Sequence, residues 1–190
     1  MPAPSSMNVI AGTATFTLAR HPRTRSQAVR DIDVVVGEGA SGGLTLTFGL
    51  VGDISALRIP DTRSSRRADY LWQHTCFEMF VMAEDGPGYR EFNFSPSGEW
   101  AVYAFRGYRD GVELEIELTP GILVRKTMNR LEMDAKIRKQ YLPPGRLLKM
   151  GLSAVVEDAD GVLSYWALQH APGKPDFHHT DAFALEMVLT

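Results

Sequence analysis

The chain has 190 residues, the length of one large domain or at most two small ones. Its hydrophobic fraction of 44% supports a real core, and a formal net charge of −3 gives no reason to expect nucleic acid as a partner. A single cysteine, Cys76, excludes an internal disulfide, and no apolar run approaches membrane-spanning length.

The opening MPAPSSMNVIAGTATF lacks the basic start and apolar run of a signal peptide, so a soluble cytoplasmic protein with no membrane partner is expected. Residues 1–12 are expected to be loosely ordered, and 13–190 to form one domain. Strands follow in chain order. TATFTLAR (13–20), RDIDVVVG (30–37) and LTLTFGLVG (44–52) are rich in Thr, Val, Phe and Leu between turn residues. The stretch 55–73 is the longest irregular segment, and loops of that length are often functional or disordered. Its RSSRR (63–67) reads as a solvated loop, with a phosphate-binding patch as the alternative.

Strands resume at CFEMFVMA (76–83), YREFNFS (89–95), EWAVYAF (99–105), VELEIEL (112–118), ILVRKTMN (122–129) and LEMDAKI (131–137). RKQYLPPG (138–145) has room for one helical turn before its prolines stop it. LLKMGLSAVVED (147–158), LSYWALQ (163–169) and AFALEMVL (182–189) complete the set. Short strands at this spacing, separated by turns such as Ser-Pro-Ser-Gly and Asp-Ala-Asp-Gly, predict an all-β, antiparallel β-sandwich.

Alternation of side chains divides the central strands into two faces. With Glu78 opposite Asn93 and Phe94 opposite Trp100, one face collects Phe77, Met79, Val81, Phe92, Phe94, Trp100 and Val102, and is the expected core. The other carries Glu78, Glu91, Asn93 and Tyr103. That mixed face is either an exposed sheet surface or a ligand face, and a one-residue slip would exchange the two.

Little points to catalysis. GEGASGG (37–43) lacks the Lys and Ser/Thr of a phosphate loop and joins two strands. There is no G-x-S-x-G elbow, and no pair of carboxylates stands out as an acid/base couple. Cys76 lies in an apolar strand, where cysteines are usually inert. The five histidines match no zinc motif. His170, His178 and His179 share one segment, either as a metal site or as surface and hydrogen-bonding histidines. No enzyme activity and no cofactor are expected.

The stretches WQHTCFEMFV, YREFNFSPSGEWAVYAFRGY and SYWALQHAPGKPDFHHTDAF resemble the bacterial DOMON-like proteins, which are similar to the family 9 carbohydrate-binding modules. The resemblance spans roughly 12–190 and implies a β-sandwich binding module. Those modules hold the end of a sugar chain between two tryptophans, with a carboxylate and amides around it. Trp72 and Glu78 match the first tryptophan and the strand carboxylate, and Trp166 is the candidate for the second. Asn93 and Gln169 are candidate amides. Arg90 and Glu91 complete the candidate set, since carboxylate, amide and Arg groups bond a pyranose rim while aromatic rings cover its apolar face.

Each candidate has a structural alternative: Trp72 as a staple for the long loop, Glu78 paired with Arg90 or Arg67, and Trp166 in the core beside Leu168. The expected partner is a small saccharide or sugar derivative. The other readings are a haem- or metal-binding domain, since DOMON relatives bind haem through Met and His, and a protein-interaction scaffold.

Overall fold

A computed structural model describes residues 8–10, 12–83, 85–112, 114 and 120–189. The strands are β1 Asn8–Ile10, β2 Ala14–Thr17, β3 Ala19–Arg20, β4 Val29–Glu38, β5 Leu44–Gly52, β6 Cys76–Ala83 and β7 Tyr89–Phe94, then β8 Trp100–Phe105, β9 Gly111–Val112, β10 Gly121–Lys126, β11 Arg130–Ile137, β12 Leu147–Glu157, β13 Leu163–Ala167 and β14 Leu185–Val188. They form an all-β sandwich, as the strand spacing predicts. One sheet runs β1-β14-β12-β6-β7-β8-β9, with β13 on the far half of β12 and β3 beyond it. The other runs β10-β11-β5-β4-β2. Every pairing is antiparallel except β1 with β14.

The strand expected at 112–118 lies almost wholly outside the described residues, and the loosely ordered start is described only at 8–10 and 12. Residues 139–141 form the single turn expected before Pro143, a 3-10 turn. The strand expected at 182–189 is shorter, because Thr180–Ala182 winds into another 3-10 turn in which the His179 ring accepts from the Asp181 N–H.

Alternation builds the core. In β4, Ile32, Val34 and Val36 point inward at no measurable exposure, while Asp31 and Asp33 point out. The facing sheet contributes Phe77, Met79, Val81, Phe92, Phe94, Trp100 and Val102, the residues that parity assigns to the interior. The register is the expected one, with Glu78 opposite Asn93 and Phe94 opposite Trp100.

Two local features shape the outer face of the larger sheet. Ser95-Pro96-Ser97-Gly98 turns tightly: Gly98 takes φ +90° and its N–H donates to the Ser95 carbonyl at 2.9 Å. The long loop then runs alongside, with Arg63 N–H bonded to Ser97 O and Trp100 N–H to Arg66 O. Its arginines meet carboxylates, Arg66 at 2.7 Å and Arg63 at 3.7 Å from Glu99, and Arg67 at 3.9 Å from Asp69. At Gly151 a Cβ would come within 2.9 Å of the Ala182 carbonyl. A bare backbone there lets the 168–184 segment close onto the sheet.

Candidate ligand-binding groove

The side chains that alternation excludes from the core converge on the outer face of the larger sheet. Glu78 and Phe80 come from β6, Glu91 from β7, Tyr103 and Phe105 from β8, Val155 from β12 and Tyr165 from β13. Trp72, on the 3-10 turn Leu71–Gln73, forms one wall. Pro175, Asp176, Phe177 and His178 form another, with Arg109 at the rim. The enclosed volume is about 380 Å³, within the rough 300–1,000 Å³ span of small-molecule sites.

The walls are aromatic. Trp72 meets Tyr70 and Tyr103 edge to face, both with ring centroids 5.5 Å apart. Phe105 stacks on Tyr89 at 4.6 Å, and His178 stands edge-on to Phe80 and Phe105. Tyr70 and Arg109, which flank the groove, hold left-handed backbones at φ 62° and 55°. Strain of this kind persists where the surroundings over-determine a conformation, often beside functional sites.

The floor is polar and buried. Glu78 is 2% exposed; its Oε2 accepts from Ser153 Oγ at 3.3 Å, and its Oε1 has no hydrogen-bond partner among the described residues. Asn93 is fully buried opposite it in the β6–β7 ladder and donates Nδ2–H to Glu91 Oε1 at 2.8 Å, leaving its own Oδ1 without a partner. Burial, reinforced by the Glu91 charge, pushes the Glu78 carboxyl well above the usual range. Burial raises Glu91 to about 7 against the pull of Asn93 and Arg109. The same burial, with the Glu78 and Glu91 charges, holds the Cys76 thiol protonated and inert.

At the rim, Arg109 bonds Asp176 at 2.9 Å, and Tyr108 also donates to Asp176. Burial alone would raise Asp176, but these donors outweigh it and hold the carboxyl below its ordinary value. His178 Nδ1 is 2.8 Å from the Tyr89 hydroxyl, and its Nε2 is 3.7 Å from Glu91. Burial and the nearby Arg109 push His178 down to about 4, so its ring is neutral.

These shifts give stability two opposing pH dependences. Glu91 holds a proton up to about 7 in the folded chain, against an ordinary 4.5. Its contribution is therefore lost as pH rises from 4.5 through 7, and Glu78 acts in the same sense. His178, ordinarily at 6.5, stays neutral down to about 4, so its contribution is lost as pH falls through that window. Glu91→Gln should remove the Glu91 share of the first dependence. Its stability relative to wild type is expected to improve between about pH 5 and about pH 7.5 in thermal unfolding. A difference that stays flat with pH would show that Glu91 titrates normally.

Of the sequence candidates, Trp72, Glu78 and Glu91 line this groove; Asn93 does not, but it lies opposite Glu78 in the β6–β7 ladder and bonds Glu91. Trp166 does not. It stands opposite Ala154 in the β12–β13 ladder, buried on the interior side, and its Nε1–H bonds Ser164 at 3.0 Å. Alternation thereby turns its neighbour Tyr165 into the groove. Arg90 is also on the wrong face for the groove: it sits between Val81 and Ala104, in parity with Phe92. Gln169, past the end of β13, is half-buried and does not line the groove. Glu78 pairs with neither Arg90 nor Arg67; its partner is Ser153.

Sequence reasoning missed Tyr165, Phe80, Phe105, Arg109 and the Pro175–His178 wall. Parity of β13 with β12 is the one signal that would have found Tyr165. His170 bonds the Ala19 carbonyl, and His179 caps a turn. No cluster of three or more His, Cys, Asp or Glu among the described residues is arranged to hold a metal ion.

No family model matches the chain, and no curated relative matches it. Solved structures do. A candidate carbohydrate-binding protein from Bacteroides uniformis superposes with a TM-score of 0.67 at 10% identity, over 96% of this chain and 99% of that one. A family 9 carbohydrate-binding module from Caldicellulosiruptor kristjanssonii, in complex with cellotriose, gives 0.60 at 8% identity over 95% and 92%. A family 9 module from the same organism in complex with glucose gives 0.50 at 10% identity over 91% and 84%. At these identities the likeness is one of fold.

Proposed function

We propose that the protein is a non-catalytic binding module whose groove takes a small saccharide or sugar derivative. The observation that carries this reading is Glu78 Oε1, a buried acceptor without a partner, on the floor of a groove walled by Trp72 and Tyr103. A pyranose fits that chemistry: its C–H face packs against rings, and its hydroxyls donate to unpaired acceptors. The fold likeness to family 9 modules, two of them solved with cellotriose and glucose, supports the reading, as does the DOMON-like resemblance of the three sequence stretches. No methionine is among the described residues that line the groove.

Calorimetry against mono- and disaccharides and sugar nucleotides tests this. A specific hit is expected, and Glu78→Ala, which removes the acceptor, should weaken it by roughly ten- to a hundredfold, corresponding to a lost hydrogen bond of about 1.5–3 kcal/mol. Unchanged affinity in the folded variant would place the site elsewhere.

A further inference from the structure

The polar groups of the groove floor are not balanced between donors and acceptors. On the floor, Ser153 Oγ–H donates to Glu78 and Asn93 Nδ2–H to Glu91, and at the rim Arg109 donates to Asp176. What remains unpaired, Glu78 Oε1 and Asn93 Oδ1, can only accept unless Glu78 is protonated. Charge is unbalanced in the same direction. Glu78 and Glu91 sit one diagonal apart on neighbouring strands, both buried. The cation lining the groove, Arg109, is at the rim and paired with Asp176. His178, which faces Glu91 at 3.7 Å, has its Nδ1 at the Tyr89 hydroxyl. Cys76 lies beside Glu78 on its own strand and supplies no positive charge.

We propose, resting on the saccharide reading above, that the ligand carries a protonated primary amine seated over Glu78 and Glu91, as an amino sugar does. An ammonium group brings three donors, no acceptor and one positive charge, matching what the floor lacks. A hydroxyl in the same place brings one donor and no positive charge, so it gives no help to an ionised carboxyl on the floor. Trp72 and Tyr103, edge to face at the wall, add aromatic rings of the kind that attract a cation. Bringing the ammonium in favours ionisation of the carboxyl it sits against, so binding releases a proton wherever the free floor holds one there. The raised titration of Glu78 and Glu91 puts neutral pH inside that range.

The test uses the whole chain and two matched probe pairs in calorimetry: glucosamine against glucose, and cyclohexylamine against cyclohexanol. Each is measured near neutral pH in two buffers of different ionisation enthalpy. At least tenfold tighter binding of the amine in either pair, with net proton release, is expected. Glu91→Gln should reduce both the preference and the released proton, while Glu78→Gln provides a second reading should the first variant fold poorly. Glucose binding as tightly as glucosamine would overturn the amine inference and leave the saccharide reading standing. Cyclohexylamine binding while no sugar does would uphold the cation and sink the saccharide. Binding of no probe would overturn the amine inference, and the saccharide reading would then stand or fall on the wider sugar screen.

Discussion

Phe94→Ala is expected to destabilise the protein by about 3–5 kcal/mol, the cost typical of truncating a buried aromatic ring. Phe94 has no exposed surface and lies between Phe77 and Trp100 in the ladder, with the Phe92 ring stacked 6.4 Å away. It packs in the layer where the larger sheet faces Phe48 and Leu50 of the smaller one. Its neighbours are anchored in two-sided hydrogen-bonded strands, so they have little freedom to collapse into the space left behind. Chemical denaturation with an unchanged dependence on denaturant would measure the loss directly. A cost below about 1 kcal/mol would mean that this layer relaxes freely and that the ring is not a pillar of the core.

The two tryptophans of the sequence candidate set are expected to behave oppositely. Trp166→Ala should cost stability on the same scale, about 3–5 kcal/mol, and leave ligand affinity unchanged, because the indole is in the sandwich core. Trp72→Ala should leave the fold standing, because that ring is only half-buried on a short turn, packed edge-on against Tyr70 and Tyr103. Its affinity for the best saccharide hit should fall by roughly ten- to a hundredfold, as expected if about 1.5–3 kcal/mol of ring contact is lost. The comparison needs both readouts on both variants. Lost affinity in Trp166→Ala at normal stability would return that residue to the site and refute the parity assignment.

Arg90 and Trp166 were candidates for chemical reasons, as an Arg for hydroxyls and a second indole. Parity, which was available in the same stretches, put both on the interior side. Where residue chemistry and strand alternation disagree, alternation prevails, because displacing one side chain to the other face would move the whole strand's set with it.

The sequence alone determined the sandwich and nearly all strand positions, and it assigned the core face of β6, β7 and β8 once Glu78 was set opposite Asn93, a register that the structure fixed. These follow from a period of two, turn residues at fixed offsets, and a hydrophobic face that has one place to go. It also put Glu78, Glu91, Asn93 and Tyr103 on a common face. What it left open was whether that face meets water or a ligand. Only the tertiary structure decided that the face is the floor of a groove, because the walls come from far along the chain. Trp72 arrives on a loop pinned to the Ser95–Trp100 edge, and Pro175–His178 arrive on a segment that the bare Gly151 backbone lets approach. Burial by those distant segments is also what raises the Glu78 and Glu91 carboxyls and leaves the Glu78 and Asn93 acceptors without partners. Desolvation is a property of everything packed around a group, and no local pattern records it.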